Sequence, residues 1–338
     1  MPRDVAASLV AARRGDSEAF KALTQPHQLE LLTHCYRMLG SLEDAEDQVQ
    51  ETLLRAWRRL ETYEGRAPFR AWLYKIATHA CLDALEHKPR RTLPLEPDTR
   101  TDLTASPPQP KGMPIWIQPF PEQWLAPTSS SPEARYDAYE SISLAFLVAL
   151  QVLPPRQRAV LIFKDVLDWS MAEIAGMLGI SLSSATSLMH RARQTMKQRN
   201  LGGRQDASRM RLPDDQTREM LDQFVRAWEA ADIDGIIALL SDDAAFPMPP
   251  LPVCFRGKAD IRAFIETIYP GDVRNRWKLV PVRANGQPAY AFYRLDELTQ
   301  TYQPFALQVL TLRDGLVSDA TTFGFPRLFR FFNLPEQL

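Results

Sequence analysis

The 338-residue chain has little of several features that assign proteins to special classes. It has three cysteines, Cys35, Cys81 and Cys254, which are too few and too scattered for a disulfide framework or a zinc site. No apolar run approaches the roughly 20 residues of a membrane span, and the N-terminus lacks the uninterrupted apolar core of a secretory signal. We therefore expect a cytoplasmic protein with no membrane partner, no metal and no cofactor.

Neither sign of charge dominates the sequence. The 40 Lys and Arg residues nearly cancel the 41 Asp and Glu residues, so the net charge of −1 neither favours nor excludes nucleic acid, and local charge must decide. Hydrophobic residues make up 45% and charged residues 24%, which excludes a chain that is disordered throughout. Because single domains usually hold ~100–200 residues, two or three domains are expected.

Proline marks the first boundary along the chain. Ten of the 27 prolines fall within residues 92–132, and proline fixes φ and removes a backbone donor, so this stretch is interpreted as a linker. Residues 1–91 and 133–199 have helical patterns on either side of it. A second break, residues 200–212, separates them from residues 213–338, where a helical pattern changes to a strand pattern.

The first helical block predicts an acidic helix followed by a basic one. Apolar residues recur at three- and four-residue spacing, at Leu42, Ala45, Val49, Leu53, Trp57 and Leu60. The other side carries Glu43, Asp44, Glu46, Asp47 and Glu51, with Ser41 as the expected N-cap. A second helix has Phe69, Trp72, Leu73, Ile76 and Ala80 on one face and ends in a basic tract, Lys88-Pro-Arg90-Arg91.

The second helical block reads as a helix-turn-helix. A short helix ends at Gly179, and another begins after Ser181, with Ala185, Met189, Ala192 and Met196 facing inward. The open side is left with hydroxyls and cations, namely Ser183, Ser184, Thr186, Ser187, His190, Arg191, Arg193 and Lys197. Hydroxyls suit base edges and cations suit phosphates in a major groove. An ordinary helical hairpin with a solvated basic face is the alternative.

Together the two blocks resemble the bacterial sigma-70 family. The runs Asp44–Trp57 and Phe69–Asp83 are similar to sigma region two. Leu153–Leu161, Glu173–Ala175 and His190–Arg193 are similar to region four. Two regions joined by a linker resemble the extracytoplasmic-function (ECF) group, and the resemblance covers about residues 15–199. It implies two all-α helical domains, region two at 1–91 and region four at 133–199, whose partners are core RNA polymerase and promoter DNA.

The resemblance also implies residue roles. The acidic helix would dock on core polymerase through Asp44, Glu46, Asp47, Gln50 and Glu51. The second helix and the loop before it would open the minus-ten element and hold an unstacked base through Arg66, Arg70, Tyr74, Lys75, Thr78 and His79. The basic residues Lys88, Arg90 and Arg91 would contact phosphate. Region four would read the minus-thirty-five element with the open-side residues. Many relatives have Asn at His79, so the resemblance implies the role of this position but not which base it prefers. Many also have basic residues at Thr186 and Leu188, which implies fewer phosphate contacts here.

Residues 213–338 predict an α+β cone. Helical patterns near Phe224–Ala231, Ile236–Leu240 and Lys258–Ile268 precede strands at Trp277–Arg283, Ala289–Leu295, Phe305–Arg313 and Leu316–Phe323, with a hairpin at Asp314-Gly315. This resembles the SnoaL-like (nuclear-transport-factor-like) fold found on a subgroup of ECF sigma factors. That subgroup carries a Trp/Pro linker motif, which Ile115–Pro121 resembles. We expect Trp116, Phe120 and Trp124 to anchor an intramolecular contact between this domain and the sigma regions.

The C-terminal domain is not expected to be an enzyme. All five histidines precede residue 200, and neutral-pH proton transfer most often uses histidine. Asp242, Asp243, Asp319 and Cys254 remain the residues that an enzyme would use. The sequence thus predicts a sigma factor whose C-terminal domain regulates it, with an unidentified small-molecule ligand as a further partner. The alternatives are a helix-turn-helix regulator and a DNA-tethered SnoaL-like enzyme.

Overall fold

The computed structural model describes residues 3–86, 91–93, 115–125, 139–198, 215–269 and 275–338. The chain forms two compact units. The helical unit takes in residues 1–91, 124–141 and 145–203, and the α+β unit takes in residues 92–123, 142–144 and 204–338. Within the described ranges, no helix combines the length and the apolar character that crossing a bilayer requires.

The described residues of the first half of the helical unit form five α-helices. They are α1 (Arg3–Arg13), α2 (Ser17–Thr24), α3 (Gln28–Leu39), α4 (Leu42–Arg58) and α5 (Phe69–Glu86). The predicted cap of α4 is confirmed, because the Ser41 hydroxyl accepts from the Asp44 amide at 3.2 Å. The predicted inner face of α4 is wrong at its C-terminal end. Thr52 and Ala56 are buried there, whereas Trp57 is 36% exposed and packs edge-on against Phe20.

The second half of the helical unit carries the helix-turn-helix. Its helices are α6 (Leu144–Val152), α7 (Pro155–Leu161), α8 (Met171–Leu178) and α9 (Leu182–Gln198), with a π-helical turn at Ile162–Val166. Gly179 ends α8 in the left-handed conformation at φ +65°, a position that suits glycine. The inward positions predicted for α9 are confirmed, since Ala185, Met189, Ala192 and Met196 are its buried residues.

In the α+β unit, the described residues form three helices that pack against a six-stranded sheet. The helices are α10 (Asp215–Glu229), α11 (Ile233–Ala238) and α12 (Gly257–Ile268). The strands are β3 (Leu240–Pro247), β4 (Cys254–Arg256), β5 (Trp277–Ala284), β6 (Gln287–Asp296), β7 (Thr301–Arg313) and β8 (Leu316–Phe323), in the order β4-β3-β8-β7-β6-β5. β3 and β8 are parallel and the other neighbours antiparallel. The α+β fold predicted for this part of the chain is confirmed.

Two tight hairpins close the meander. The predicted turn at Asp314-Gly315 is confirmed, with φ of +53° and +76°, and Asn285-Gly286 makes the same kind of turn between β5 and β6. The helix predicted to include Leu240 is wrong at that residue. Helix α11 ends at Ala238, and Leu240 is the first residue of β3. Its side chain is buried as part of the strand.

Two short strands of the proline-rich segment fall within the described residues. They are β1 (Arg91–Thr92) and β2 (Ile115–Trp116), and the Ile117 amide donates to the Thr92 carbonyl at 3.1 Å.

Candidate polymerase and promoter interfaces

The acidic face of α4 is partly exposed and partly engaged in ion pairs. Asp47 and Gln50 are exposed, whereas Glu46 is half-buried. Asp44 pairs with Arg91 at 2.5 Å. Glu51 pairs with Arg55 at 2.6 Å. The outer edge of this face is therefore formed by Asp47 and Gln50.

An apolar residue that sequence reasoning missed extends the same face. Leu54 is 52% exposed, and it lies seven residues after Asp47 and four after Gln50, so the three side chains share one side of α4. Its spacing from the acidic residues is the signal that would have identified it. An exposed leucine beside carboxylates offers a partner both an apolar contact and charge.

The residues predicted for the minus-ten element are not all at the surface. Lys75 is exposed and His79 is half-buried, with Nδ1 of His79 2.8 Å from the Lys75 carbonyl. Arg66 is exposed and pairs with Glu64 at 2.6 Å. Lys88 and Arg90 lie outside the described residues, and Arg91 pairs with Asp44 of α4.

The central part of the predicted minus-ten surface is buried. Tyr74 is 1% exposed and Thr78 is fully buried. The Arg70 guanidinium lies 4.9 Å from the centroid of the Tyr74 ring and pairs with Glu30 at 2.6 Å. The structure therefore brings the predicted aromatic and cationic groups together but leaves only their edge accessible.

Two aromatic rings from the second half of the helical unit cover Tyr74. The Tyr74 ring centroid lies 6.2 Å from that of Phe163 and 5.7 Å from that of Trp169. His34 of α3 completes the cluster, 5.0 Å from Tyr74 and 5.2 Å from Phe163. The region-four part of the chain thus packs directly on the α5 surface that was predicted to hold a base.

Burial controls the titration of this cluster. Burial lowers the pKa of His34 to about 3, helped by the positive charges of Arg37 and Arg70. Nε2 of His34 lies 2.9 Å from the Thr78 hydroxyl, so the ring is neutral and hydrogen-bonded to α5. Burial also raises the pKa of Tyr74. For Glu30, burial raises the pKa, but hydrogen bonds from His27 and Arg70 outweigh it and the net shift is downward.

The neutral His34 predicts a specific pH dependence of stability. Its folded pKa of about 3 lies below the unfolded value of about 6.5, so the unfolded chain binds the proton first as the pH falls. This contribution is fully present above pH ~6.5 and is lost at about 1.4 kcal/mol per pH unit as the pH falls towards 3. Urea unfolding should show that the free energy of unfolding of the wild-type protein is about 1.4 kcal/mol lower at pH 5.5 than at pH 7.5. In the His34→Gln variant this difference should disappear. If the variant loses as much unfolding free energy between these two pH values as the wild type does, His34 is not the source of the pH dependence.

Two buried arginines join the two halves of the helical unit. Arg158 of α7 is 2% exposed and donates to the Met38 carbonyl at the end of α3 and to the Leu150 carbonyl of α6. Arg37 of α3 is 6% exposed and donates to the Ser141 hydroxyl at 2.6 Å. Each guanidinium therefore contacts the half of the unit that does not contain it.

The recognition surface of α9 is open. Its predicted hydroxyls and cations are exposed. Ile180, Leu188 and Arg156 line a concave surface together with six of the predicted residues, namely Ser183, Ser184, Thr186, Ser187, His190 and Arg191. Of the two further predicted cations, Arg193 pairs with Asp165 at 2.8 Å and Lys197 is exposed near the end of the helix. Sequence reasoning missed Arg156, because it belongs to α7 and meets α9 only in the fold.

The start of α9 is fixed by a serine cluster. The Ser181 hydroxyl accepts from the Ser184 amide at 3.2 Å and lies 2.8 Å from the Ser184 hydroxyl. This cap places the first exposed hydroxyls at the N-terminal end of the helix, the end that contacts bases in helix-turn-helix proteins.

Two of the three predicted linker anchors contact the α+β unit. The Trp116 indole donates to the Pro250 carbonyl at 2.9 Å. Phe120 is fully buried, its amide donates to Asn285 Oδ1 at 2.9 Å, and its carbonyl accepts from the Asn285 amide at 3.0 Å. Trp124 instead belongs to the helical unit, where its carbonyl accepts from the Thr33 hydroxyl at 3.3 Å.

The interior of the cone is filled by aromatic rings. Phe224 stacks on Tyr290 with centroids 5.6 Å apart, and Phe292 lies 5.1 Å from Trp228 and 6.0 Å from Trp277. These side chains belong to one buried apolar cluster formed by the helices and the inner face of the sheet. The described part of the cone thus has an aromatic core.

The acidic residues weighed as catalytic candidates have structural partners. Asp242 pairs with Lys258 at 2.9 Å, and Asp243 pairs with Arg313. Asp319 accepts from the Ser318 hydroxyl at 3.0 Å, and burial raises its pKa. Burial also raises the pKa of Cys254, which disfavours the thiolate nucleophile. Within the described ranges, no group of three or more His, Cys, Asp or Glu side chains could hold a metal ion.

Three comparisons place these features in a family. Residues 23–91 match sigma-70 region 2, residues 143–196 match sigma-70 region 4, and residues 221–320 match the SnoaL-like domain. The chain is 39% identical to the ECF RNA polymerase sigma factor SigG of Mycobacterium tuberculosis over 96% of this chain and 86% of SigG. It is 28% identical to SigW of Bacillus subtilis over 55% of this chain and 90% of SigW.

A solved structure agrees with the fold. The crystal structure of Mycobacterium tuberculosis SigJ is similar, with a TM-score of 0.56 and 22% identity, over 93% of this chain and 99% of that one. Two helical sigma regions followed by a SnoaL-like domain define a multidomain transcription initiation factor. The chain belongs to the ECF RNA polymerase sigma factors.

Proposed function

We propose that this sigma factor uses three separate surfaces in initiation. The α4 face at Asp47, Gln50 and Leu54 docks on core RNA polymerase. The α5 surface around Tyr74 holds an unstacked minus-ten base, and the concave face of α9 reads the minus-thirty-five element. The observation that carries the proposal is that an acidic face and a cationic hydroxyl-lined face are both exposed on one helical unit. The site of action is the cytoplasm.

The chemistry of the α9 face supports promoter reading. Ser183, Ser184 and Ser187 present short hydroxyls near the start of the helix, where they can reach base edges. Arg156 and Arg191 flank them and suit phosphate oxygens. Phosphate contacts position the helix, and the hydroxyls supply discrimination between bases.

The role of Arg156 can be measured by salt dependence. In holoenzyme assembled with core polymerase, Arg156→Ala should weaken promoter binding to a similar degree on all promoters and lower the slope of log K against log[salt] by about 1. Arg218→Ala, an exposed arginine of α10, serves as the matched control and should leave the slope unchanged. An unchanged slope in Arg156→Ala would remove Arg156 from the promoter interface.

The C-terminal domain is proposed to be regulatory rather than catalytic. Its interior is packed by aromatic rings, and its candidate acids have structural partners. It holds the proline-rich segment through Trp116, Phe120 and Asn285. By fixing that segment, it would restrict how region two and region four are disposed, and a ligand would act only by binding two arrangements with different affinity.

The linker contacts give a direct test of this regulatory role. If the domain acts through the linker, a Trp116→Ala/Phe120→Ala double variant should change promoter-directed transcription in the same direction as deletion of residues 213–338. The transcription levels of the two variants should agree to within about threefold. Multiple-round transcription with a fixed amount of core polymerase measures both. A deletion that changes transcription while the double variant does not would place the regulation elsewhere in the domain, and no effect of the deletion would rule regulation out.

Co-purification tests the function as a whole. The full-length chain should co-elute with core polymerase and support transcription from double-stranded DNA. A helix-turn-helix regulator would instead bind duplex DNA without associating with the polymerase. Turnover of small substrates by the isolated protein would favour the enzyme alternative.

A further inference from the structure

The base-binding surface proposed for α5 is occupied in the free protein by the chain itself. Tyr74 is the aromatic ring that an unstacked base would meet, and it is 1% exposed. Its cover consists of Phe163, from the π-helical turn, and Trp169, just before α8. Both covering residues belong to the region-four part of the chain.

The residues that cover Tyr74 are aromatic, as is the unstacked base expected to bind there. The centroid of the Trp169 ring lies 5.7 Å from that of Tyr74, with the two ring planes inclined at 54°, and the Trp169 ring also packs on Phe163 with centroids 4.9 Å apart. A nucleobase is likewise a flat aromatic group, and base–aromatic stacking tolerates different ring systems. The Arg70 guanidinium, 4.9 Å from the Tyr74 centroid, adds a cation that suits either an electron-rich ring or a nearby phosphate.

Contacts beside the aromatic cluster hold Phe163 and Trp169 against α5. Arg158 donates to the Met38 carbonyl of α3, and Arg37 donates to the Ser141 hydroxyl. Gly40 allows the close approach: it has φ +69°, and a Cβ atom there would lie 3.2 Å from Gln151 Nε2. The arginines are held by carbonyl and hydroxyl oxygens at these contacts, which water can replace when the two halves separate.

We propose that Trp169 occupies, in the free sigma factor, the position that an unstacked base of single-stranded promoter DNA takes at Tyr74, so that region four and the minus-ten strand compete for one surface. This inference rests on the proposed function of α5. Single-stranded DNA then binds the free protein only when region four moves away, because that movement uncovers the side of the Tyr74 ring that Phe163 and Trp169 contact.

The test measures binding of a fluorescent pool of random 12-nucleotide single-stranded DNA to the full-length chain. Trp169→Ala should raise the affinity by about 5- to 100-fold, the range that one base–aromatic contact contributes, because the ring that competes with the base for Tyr74 is removed. Trp169→Phe keeps a ring on Tyr74 and should stay near the wild-type affinity. Adding Tyr74→Ala to Trp169→Ala should abolish the gain. Trp57→Ala, which removes the indole of α4 that packs on Phe20, is the matched control and should change nothing.

Hydrogen exchange provides a second readout on the wild-type protein. Saturating single-stranded DNA should protect residues 70–79 and speed exchange at residues 163–170. Protection of 70–79 without faster exchange at 163–170 would overturn the competition. So would a folded Trp169→Ala variant that binds the DNA pool no better than wild type.

Core binding separates the two proposals. If the protein binds core polymerase and directs transcription but Trp169→Ala leaves DNA binding unchanged, only the competition fails. If the protein does not bind core polymerase, the proposed function itself fails.

Discussion

Replacing Asp47 by lysine should raise the Kd for core RNA polymerase by at least about 30-fold, the low end of the effect of opposing a charge in an interface. Asp47 is exposed on the same side of α4 as Gln50 and Leu54, so reversal of its charge changes the docking face without disturbing the core. Added salt should reduce the difference between the two proteins, because screening weakens exposed charges. Biolayer interferometry on immobilised core polymerase measures the effect.

The control for this experiment lies in the same helical unit. Glu61→Lys makes the same charge change on an exposed residue of the 3-10 turn after α4 and should bind core polymerase normally. Leu54→Ala should weaken binding by a smaller factor, because it removes an apolar contact without adding repulsion. Equal Kd values for Asp47→Lys and Glu61→Lys would mean that α4 is not the docking helix.

Replacing Arg158 by alanine should destabilise the helical unit by about 3 kcal/mol or more, a cost typical of removing a buried, fully bonded charged group and leaving its partners unsatisfied. Its guanidinium donates to the carbonyls of Met38, Leu150, Gln151 and Leu153 and to Gln151 Oε1, so one side chain satisfies the ends of two helices. Urea unfolding followed by far-UV circular dichroism, read at the transition of the helical unit, measures the loss.

Arg156 offers a matched control two residues away. It is exposed, so Arg156→Ala should change the unfolding free energy by less than about 0.5 kcal/mol, while it weakens promoter binding as described above. Similar destabilisation by the two substitutions would show that the buried contacts of Arg158 do not carry the stability assigned to them.

Local chemistry explains why much of the fold was predictable. Ser41 and Gly179 are cap residues whose backbone roles depend on neighbours within four positions. The Asp314-Gly315 turn and the alternating strands depend on equally local rules, and the resemblance to sigma regions extended these elements to a domain order. The inner face of α4 was misjudged because Leu53 and Trp57 are apolar and also lie at helical spacing, whereas the packed helix buries Thr52 and Ala56.

The state of the minus-ten surface could not be read from the sequence. The resemblance to sigma region two implied a base-binding role for Tyr74, and nothing near it in the chain indicates that Phe163 and Trp169 cover it. The contact of Arg158 with Met38 spans 120 residues in sequence, and the proximity of Arg156 to α9 likewise arises only in the fold. Such long-range contacts depend on tertiary packing, which helical periodicity does not encode.

The aromatic residues of the linker could be identified from the sequence, but their contacts could not. Trp116 and Phe120 contact the α+β unit through their indole and backbone groups, and Asn285, at a left-handed turn position, provides the matching acceptor. The sequence offered the aromatic residues but not Asn285, whose role depends on the turn between β5 and β6. Whether these contacts regulate transcription remains a prediction for the double variant.

The most direct test of the account is transcription by holoenzyme reconstituted from core polymerase and the full-length chain on fragmented genomic DNA of the source organism, with sequencing of the RNA 5′ ends. We predict discrete start sites that share two upstream sequence elements and that disappear both with Asp47→Lys and with an Arg156→Ala/Arg191→Ala double variant. Start sites identical to those of core polymerase alone would contradict the assignment of these surfaces to promoter-directed initiation.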